Sequence, residues 1–283
     1  MMAMSKKLRM GGLAVLGLAA MASGVQAAGD QPLWELGAGL AAFSFPSYRG
    51  SDQTHNFLLP VPHFTYHGDF FKADRQGIRG SFFDSDRVDL TVSLALSPPV
   101  SSDNITARTG MPDLKGTFEI GPQMDVTLWR SENRARFVKL LLPLRTAITV
   151  EGSPKSIGWV FHPKLNMDIT DIPGMAGWNL GMLAGPLFGD KRQHAYYYTV
   201  APQYATADRP AYEAGSGYAG TQYLVALSKR FPKYWVGGFV RYDNLSGATF
   251  ENSPLVRQKD YFAAGIAFTW VFGESSTRVK VDD

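Results

Sequence analysis

The 283 residues include no cysteine, which excludes disulfide staples, thiolate metal sites, a cysteine nucleophile and the lipidated cysteine of a lipoprotein. Long apolar runs are missing too, since nothing past residue 27 approaches the roughly 20 apolar residues of a membrane-spanning helix. An excess of one charge is also absent once the N-terminus is set aside. Residues 1–27 read as a secretory signal: Lys6, Lys7 and Arg9, then the apolar stretch Met10 to Met21, then the small-residue ending Val25-Gln26-Ala27. This pattern predicts export through the Sec pathway, cleavage, and a mature chain starting at Ala28. The signal holds three of the 28 basic residues and none of the 25 acidic ones, leaving 25 against 25. A neutral mature chain with no basic concentration excludes nucleic acid as the expected partner.

What the chain has instead is alternation. Successive side chains of a strand point to opposite faces, and Val88, Leu90, Val92, Leu94 and Leu96 alternate with Asp89, Thr91, Ser93 and Ala95. Phe118 to Trp129 repeats this with Glu119, Gln123, Asp125 and Thr127 on its polar side, and Ile157 to Ile169 with His162, Lys164, Asn166 and Asp168. Lys139 and Arg145 share the polar face of a third such segment. Tyr261 to Phe272 sets Phe262, Ile266, Phe268, Trp270 and Phe272 against mostly small residues. Segments of about 10 residues suit tilted membrane strands, and without a spanning helix a closed barrel is the other way through lipid.

The expectation is an all-β antiparallel transmembrane barrel of about 12 strands, within roughly 10 to 14. Candidate strands are Leu33 to Phe43, Asn56 to Tyr66, Phe70 to Ser81, Val88 to Leu96, Phe118 to Trp129, Phe137 to Val150, Ile157 to Ile169, Trp178 to Phe188, Ala195 to Tyr204, Gly220 to Leu227, Tyr234 to Leu245 and Tyr261 to Phe272. Domain bounds follow: a signal peptide over 1–27, the barrel over 28–272 and a polar, flexible tail over 273–283. Tyr261, Phe268, Trp270 and Phe272 form the barrel-closing strand and its insertion signal. Trp34, Tyr66, Trp129, Trp159, Trp178, Tyr204 and Tyr234 lie near segment ends, where a membrane interface favours aromatics. Prolines at 60, 62, 122, 143, 163, 186 and 202 predict bulges, short strands or sheet defects.

Signs of chemistry are weak. Gly37-Ala38-Gly39-Leu40-Ala41-Ala42 fits a loose dinucleotide-binding pattern, but no helix follows it. His63 and His67 would share a metal ion on a helix, whereas on a strand they lie roughly 13 Å apart. Asp84, Asp86 and Asp89 read as a solvated turn. A barrel hydrolase would need a serine beside one of the five histidines, and no serine carries a nucleophile motif. No cofactor, metal or catalytic residue is expected.

Several short stretches together resemble a known family. These are Tyr48-Arg49-Gly50-Ser51-Asp52, Pro60-Val61-Pro62-His63-Phe64-Thr65-Tyr66, Tyr197-Tyr198-Thr199-Val200, Leu245-Ser246-Gly247-Ala248 and Ser253-Pro254-Leu255-Val256. In them the chain is similar to the MipA/OmpV outer-membrane proteins, also called MltA-interacting proteins. The resemblance implies a non-enzymatic barrel in the cell outer membrane, in contact with outer-membrane lipid. It also implies a scaffold joining a murein lytic transglycosylase to a penicillin-binding protein, or a role in adhesion or envelope integrity. Two departures stand out: Thr249-Phe250-Glu251-Asn252 replaces residues often acidic in the family, and the chain runs on from Gly273 to Asp283. The inward charges leave a narrow solute channel as the rival reading.

Overall fold

The computed structural model describes residues 30–67, 71–74, 77–80, 83–85 and 87–280. The expected signal peptide, Ala28, Asp86 and the last three residues of the expected tail lie outside them.

Alternation builds the wall. Leu58, Ile266 and Phe272 are 70%, 68% and 65% exposed, whereas Asp125, Arg145 and Asp168 are buried. Apolar groups outside and charges inside invert a soluble core, as a barrel in lipid requires. The strands are β1 (Asp30–Pro32), β2 (Trp34–Pro46), β3 (Thr54–His67), β4 (Phe71–Asp74), β5 (Gly77–Gly80), β6 (Phe83–Asp84), β7 (Val88–Ser97) and β8 (Thr117–Arg130). They continue with β9 (Arg136–Thr149), β10 (Ser156–Phe161), β11 (Lys164–Ile169), β12 (Trp178–Gly189), β13 (Gly217–Arg230), β14 (Tyr234–Asn244), β15 (Asp260–Glu274) and β16 (Arg278–Lys280).

Among the described residues, 14 of these strands form one antiparallel sheet of sequential neighbours. The last long strand closes on the first, with Ile266 opposite Ala42 and Trp270 opposite Ala38. Gly39 permits this seam, because a Cβ there would lie 1.9 Å from the Phe268 carbonyl oxygen. Close approach of two strands, rather than a phosphate, therefore explains the glycine pattern. β5 runs beside β7 and β6 pairs with it, so the two ends of the strand order also meet. β10 and β11 both pair with β9 and β12, forming one stave broken at Pro163, and the strand number among the described residues stays within the expected 10 to 14.

The details differ from expectation in three places. Phe70 to Ser81 holds two short strands, β4 and β5, folded on each other with Asp74 opposite Gly77. Ala195 to Tyr204 is no strand: helix α1 (Lys191–Tyr198) occupies most of it, followed by a 3-10 turn over Pro202–Tyr204. The Asp190 side chain accepts from Gln193 N and caps the helix. The expected flexible tail is partly ordered: β15 extends past Phe272 to Glu274, and β16 pairs antiparallel with β1, Val279 opposite Gln31. Two prolines sit at ladder defects, Pro163 between β10 and β11 and Pro186 beside the register shift in β12.

The connections fall into two sets. At the end holding β1 and β16 all are short (131–135, 170–177, 231–233); at the other, 47–53 and 150–155 are short too, but 98–116, 190–216 and 245–259 are long.

Candidate functional site

The long connections fold into a cap over their end of the lumen. Ile105, Leu245, Phe250 and Leu255 are fully buried there among Tyr48, Tyr198 and Tyr261. Phe250 stacks on Tyr198 with centroids 3.7 Å apart, and His194 meets Phe250 edge-on at 4.8 Å. Burying such aromatics contributes a few kcal/mol each by area.

Hydrogen bonds across the chain fix the packing. Tyr48 Oη donates to the Leu255 carbonyl at 2.7 Å, Tyr198 Oη to that of Arg49 at 3.0 Å, and Ser253 Oγ to that of Tyr198 at 2.7 Å. The Ser51 carbonyl accepts from Gln258 Nε2 at 2.7 Å, and the Gly50 carbonyl from Arg257 N at 2.7 Å. Burial pushes the Tyr48 phenol up to about 12 and that of Tyr198 well above its usual value, so both remain protonated donors. His194 is pushed the other way: burial holds its imidazole neutral below the usual range, and Nδ1 lies 2.6 Å from the Gly215 carbonyl oxygen. The buried Arg108 guanidinium spans the loops, donating to Ser102 Oγ, the Tyr197 carbonyl and the Pro112 carbonyl.

Below the cap, the charges on the lumen wall find partners both across strands and along a single strand. Arg49 reaches down to Asp243 at 3.1 Å, and Arg241 holds the other Asp243 oxygen at 2.7 Å. Arg145 on β9 meets Glu119 on β8 at 2.8 Å and donates to Ser93 Oγ on β7 at 3.2 Å. Near the short-turn end, Glu35 takes Arg230 at 2.6 Å, with His63 Nε2 at 3.5 Å. Asn166 donates to Asp168 and Gln123 to Asp125, while the Lys139 ammonium sits 5.0 Å from the Phe137 ring centroid. Such pairs are stable only while both partners remain, because a buried charge left alone costs several kcal/mol.

The residues singled out from sequence fall in three places. Tyr48, Gly50, Ser51, Tyr198, Gly247, Ser253 and Pro254 lie in or beside the cap, where Gly247 N donates to Glu251. Asp52 faces Arg257 at 4.0 Å on the outside of the cap. Pro60, Pro62 and Tyr66 belong to β3 instead, opposite Leu40, Ala38 and Trp34 of β2. Phe268, Trp270 and Phe272 face outward, whereas Tyr261 turns inward and is buried under the cap. Tyr204 also belongs to the cap packing rather than to an outer aromatic girdle.

His63 bonds Thr269 and faces Glu35, while the side chain of His67 lies outside the described residues. Asp84 and Asp89 oppose each other across the β6–β7 turn. No hydrogen bond joins a serine to a histidine among the described residues. Arg49, Arg108, His194, Phe250 and Asp243 leave no trace as a unit in the sequence, since Arg49 and Asp243 alone are 194 positions apart.

The family model for MltA-interacting protein MipA matches residues 38–272. Outer membrane protein OmpV of Vibrio cholerae is 23% identical over 230 residues, covering 79% of this chain and 81% of that protein. Outer membrane protein Omp26La of Vibrio anguillarum is 24% identical over the same shares. Among solved structures, a bacterial polysaccharide outer membrane secretin matches with TM-score 0.41 and 9% identity, covering 86% of this chain and 99% of that one. With its antiparallel barrel and its match over residues 38–272, this outer-membrane chain belongs to the family of MltA-interacting protein MipA.

Proposed function

We propose that the protein is a non-enzymatic, non-conducting outer-membrane scaffold that holds murein-remodelling enzymes, a lytic transglycosylase and a penicillin-binding protein, against the membrane. The observation that carries the non-conducting part is the pairing of opposite charges inside the lumen, Arg145 with Glu119 and Asp243 with two arginines, under a folded cap. A solute path would have to cross both. The transglycosylase rests on the family's name as an MltA-interacting protein, and the penicillin-binding protein on the resemblance in sequence alone.

Outer-membrane barrels turn short connections to the periplasm and long loops outward. That orientation gives the enzymes the short turns and the β1–β16 clasp as their platform. Isothermal titration of the folded barrel with the purified lytic transglycosylase of the same bacterium tests this. We expect saturable binding that weakens when residues 275–283 are deleted; no binding by the intact barrel contradicts the proposal.

The cap favours a second reading, adhesion or envelope integrity, because Tyr48, Tyr198 and Ser253 tie together the outward end rather than the periplasmic one. In that case loosening the cap would alter surface attachment and leave transglycosylase binding unchanged.

A further inference from the structure

Four cations converge inside the barrel beneath the cap. Along the inward face of β10 and β11, Val160, His162 and Lys164 follow one another beside Arg145, Pro143 and Leu141 of β9. Val160 lies opposite Arg145, His162 N donates to the Pro143 carbonyl, and Lys164 lies opposite Leu141. His162 therefore has Arg145 diagonally across from it and Lys164 two residues along on the same face.

The other two cations approach from the far side. Asp243, with its two arginines, lies opposite Gln222 of β13, and Gln222 lies opposite Gly185 of β12. Gly185 follows Ala184, the partner of Leu165, so it falls beside Lys164 and leaves the wall bare between Lys164 and Gln222. The charges of Lys164, Arg145, Arg49 and Arg241 all act on the imidazole of His162. Three strands and a loop thus bring four cations around one buried side chain.

The carboxylates beside them are fewer. Glu119 is taken by Arg145 at 2.8 Å, and the single carboxylate of Asp243 serves both Arg49 and Arg241, at 3.1 and 2.7 Å. Lys164 has no ion pair or hydrogen bond among the described residues, and the carboxylates that act on it, Asp125 and Glu119, do so from beyond 4.0 Å. His162 is 4% exposed, and its Nε2 has no hydrogen-bond partner among the described residues. Like charges gathered out of bulk water repel strongly, and an imidazole N–H can donate to an acceptor but not to a cation. A guanidinium binds the oxygens of an oxyanion side by side, while a lysine ammonium serves as a point charge.

We propose that the lumen beneath the cap binds a small free oxyanion of the phosphate or sulfate class, held between Lys164 and the Arg49–Arg241 pair, with His162 as a further donor. The anion supplies the negative charge that the wall lacks at this level and adds to what closes the lumen. A free ion fits better than a lipid headgroup, because these side chains lie inside the wall and under folded loops. The site rests on the cation cluster and not on the scaffold reading, so a barrel that bound no transglycosylase would still hold the ion.

The test refolds the full chain into uncharged maltoside micelles, which carry no lipid phosphate, in either chloride or inorganic phosphate at equal ionic strength. Urea unfolding is followed by tryptophan fluorescence. We expect phosphate to raise the urea midpoint in a saturable way. Lys164→Gln should change sign between the two buffers. In chloride it removes a cation without a partner, so the midpoint should hold or rise; in phosphate it should fall below that of the unaltered chain. The phosphate concentration for half the effect should rise roughly tenfold or more, the loss of one charged hydrogen bond. Arg241→Gln, which leaves Asp243 to Arg49, serves if that variant does not fold. Lys229→Gln, whose ammonium lies over the Trp178 ring at the short-turn end, should leave the response unchanged. A midpoint no higher in phosphate than in chloride, a phosphate response that survives both Lys164→Gln and Arg241→Gln, or one equally lost in Lys229→Gln overturns the proposal.

Discussion

The two ends of this barrel are held together by different means. At the short-turn end the hairpin turns are held by neighbours in sequence, Ser131 Oγ accepting from Arg136 N at 3.0 Å and Asp171 from Gly177 N at 2.6 Å, and the β1–β16 pairing and the Glu35–Arg230 pair add the long-range links. At the cap, Tyr48 and Leu255 are 207 positions apart and Tyr198 and Arg49 are 149 apart. The hairpin turns can form as each hairpin forms, whereas the cap, like the β1–β16 clasp, can pack only after all the staves are in place. It is accordingly the end expected to open locally without loss of the barrel.

The largest test of this difference is Asp243→Ala. It strips the partner from both Arg49 and Arg241 at the point where cap meets lumen. We expect a loss of about 3–5 kcal/mol, read as unfolding of the barrel at lower urea. An effect like that of a surface charge would mean that water reaches this site freely.

Phe250→Ala should also cost about 3–5 kcal/mol, but confined to the cap. Protease should then cut the 98–116 and 245–259 connections while heat-dependent migration of the barrel in SDS gels is retained. Loss of the whole barrel would show that the two ends are coupled.

The wall itself is tested by Val92→Arg and Leu142→Arg, each expected to cost about 2–4 kcal/mol near the bilayer midplane, with Thr91→Arg costing less. Equal costs would overturn the assignment of faces.

A smaller effect concerns pH. The folded cap holds His194 neutral, below its usual value of 6.5, through burial and the nearby Arg49 charge. The opened cap binds a proton as pH falls below 6.5, so His194 favours the closed cap above that pH and progressively opposes it below. Hydrogen exchange at 245–259 should therefore speed up on acidification, beyond the intrinsic dependence, and His194→Gln should flatten the response. At the turn end Ser131→Ala should cost no more than about 1 kcal/mol and leave cap exchange unchanged.

Much of the wall was legible because its signal is local. Val88 to Leu96 and Ile157 to Ile169 state their faces residue by residue, and lipid outside makes the apolar face easy to read. The strand number stayed within the expected 10 to 14 despite two differences. One segment proved to be a helix, in a stretch where Tyr196, Tyr197 and Tyr198 break the alternation, and another proved to be a hairpin. The cap was illegible as a structure, although its residues supplied most of the family resemblance. A tyrosine hydroxyl meeting a carbonyl 207 positions away leaves no periodic trace. Pro60 and Pro62, expected to mark a defect, lie instead in an unbroken 14-residue strand whose ladder to β2 passes through both, whereas Pro163 and Pro186 do sit at defects.

The central claim, a barrel sealed by its cap and its lumen ion pairs, is tested most directly by single-channel recording in planar bilayers. The intact protein should give no steady openings. A variant with the 98–116 loop replaced by a short turn and with Glu119→Gln and Arg145→Gln together should conduct, because both the cap and the pair beneath it are removed. Steady, ion-selective openings by the intact protein would contradict the account and make the inward charges the lining of a channel.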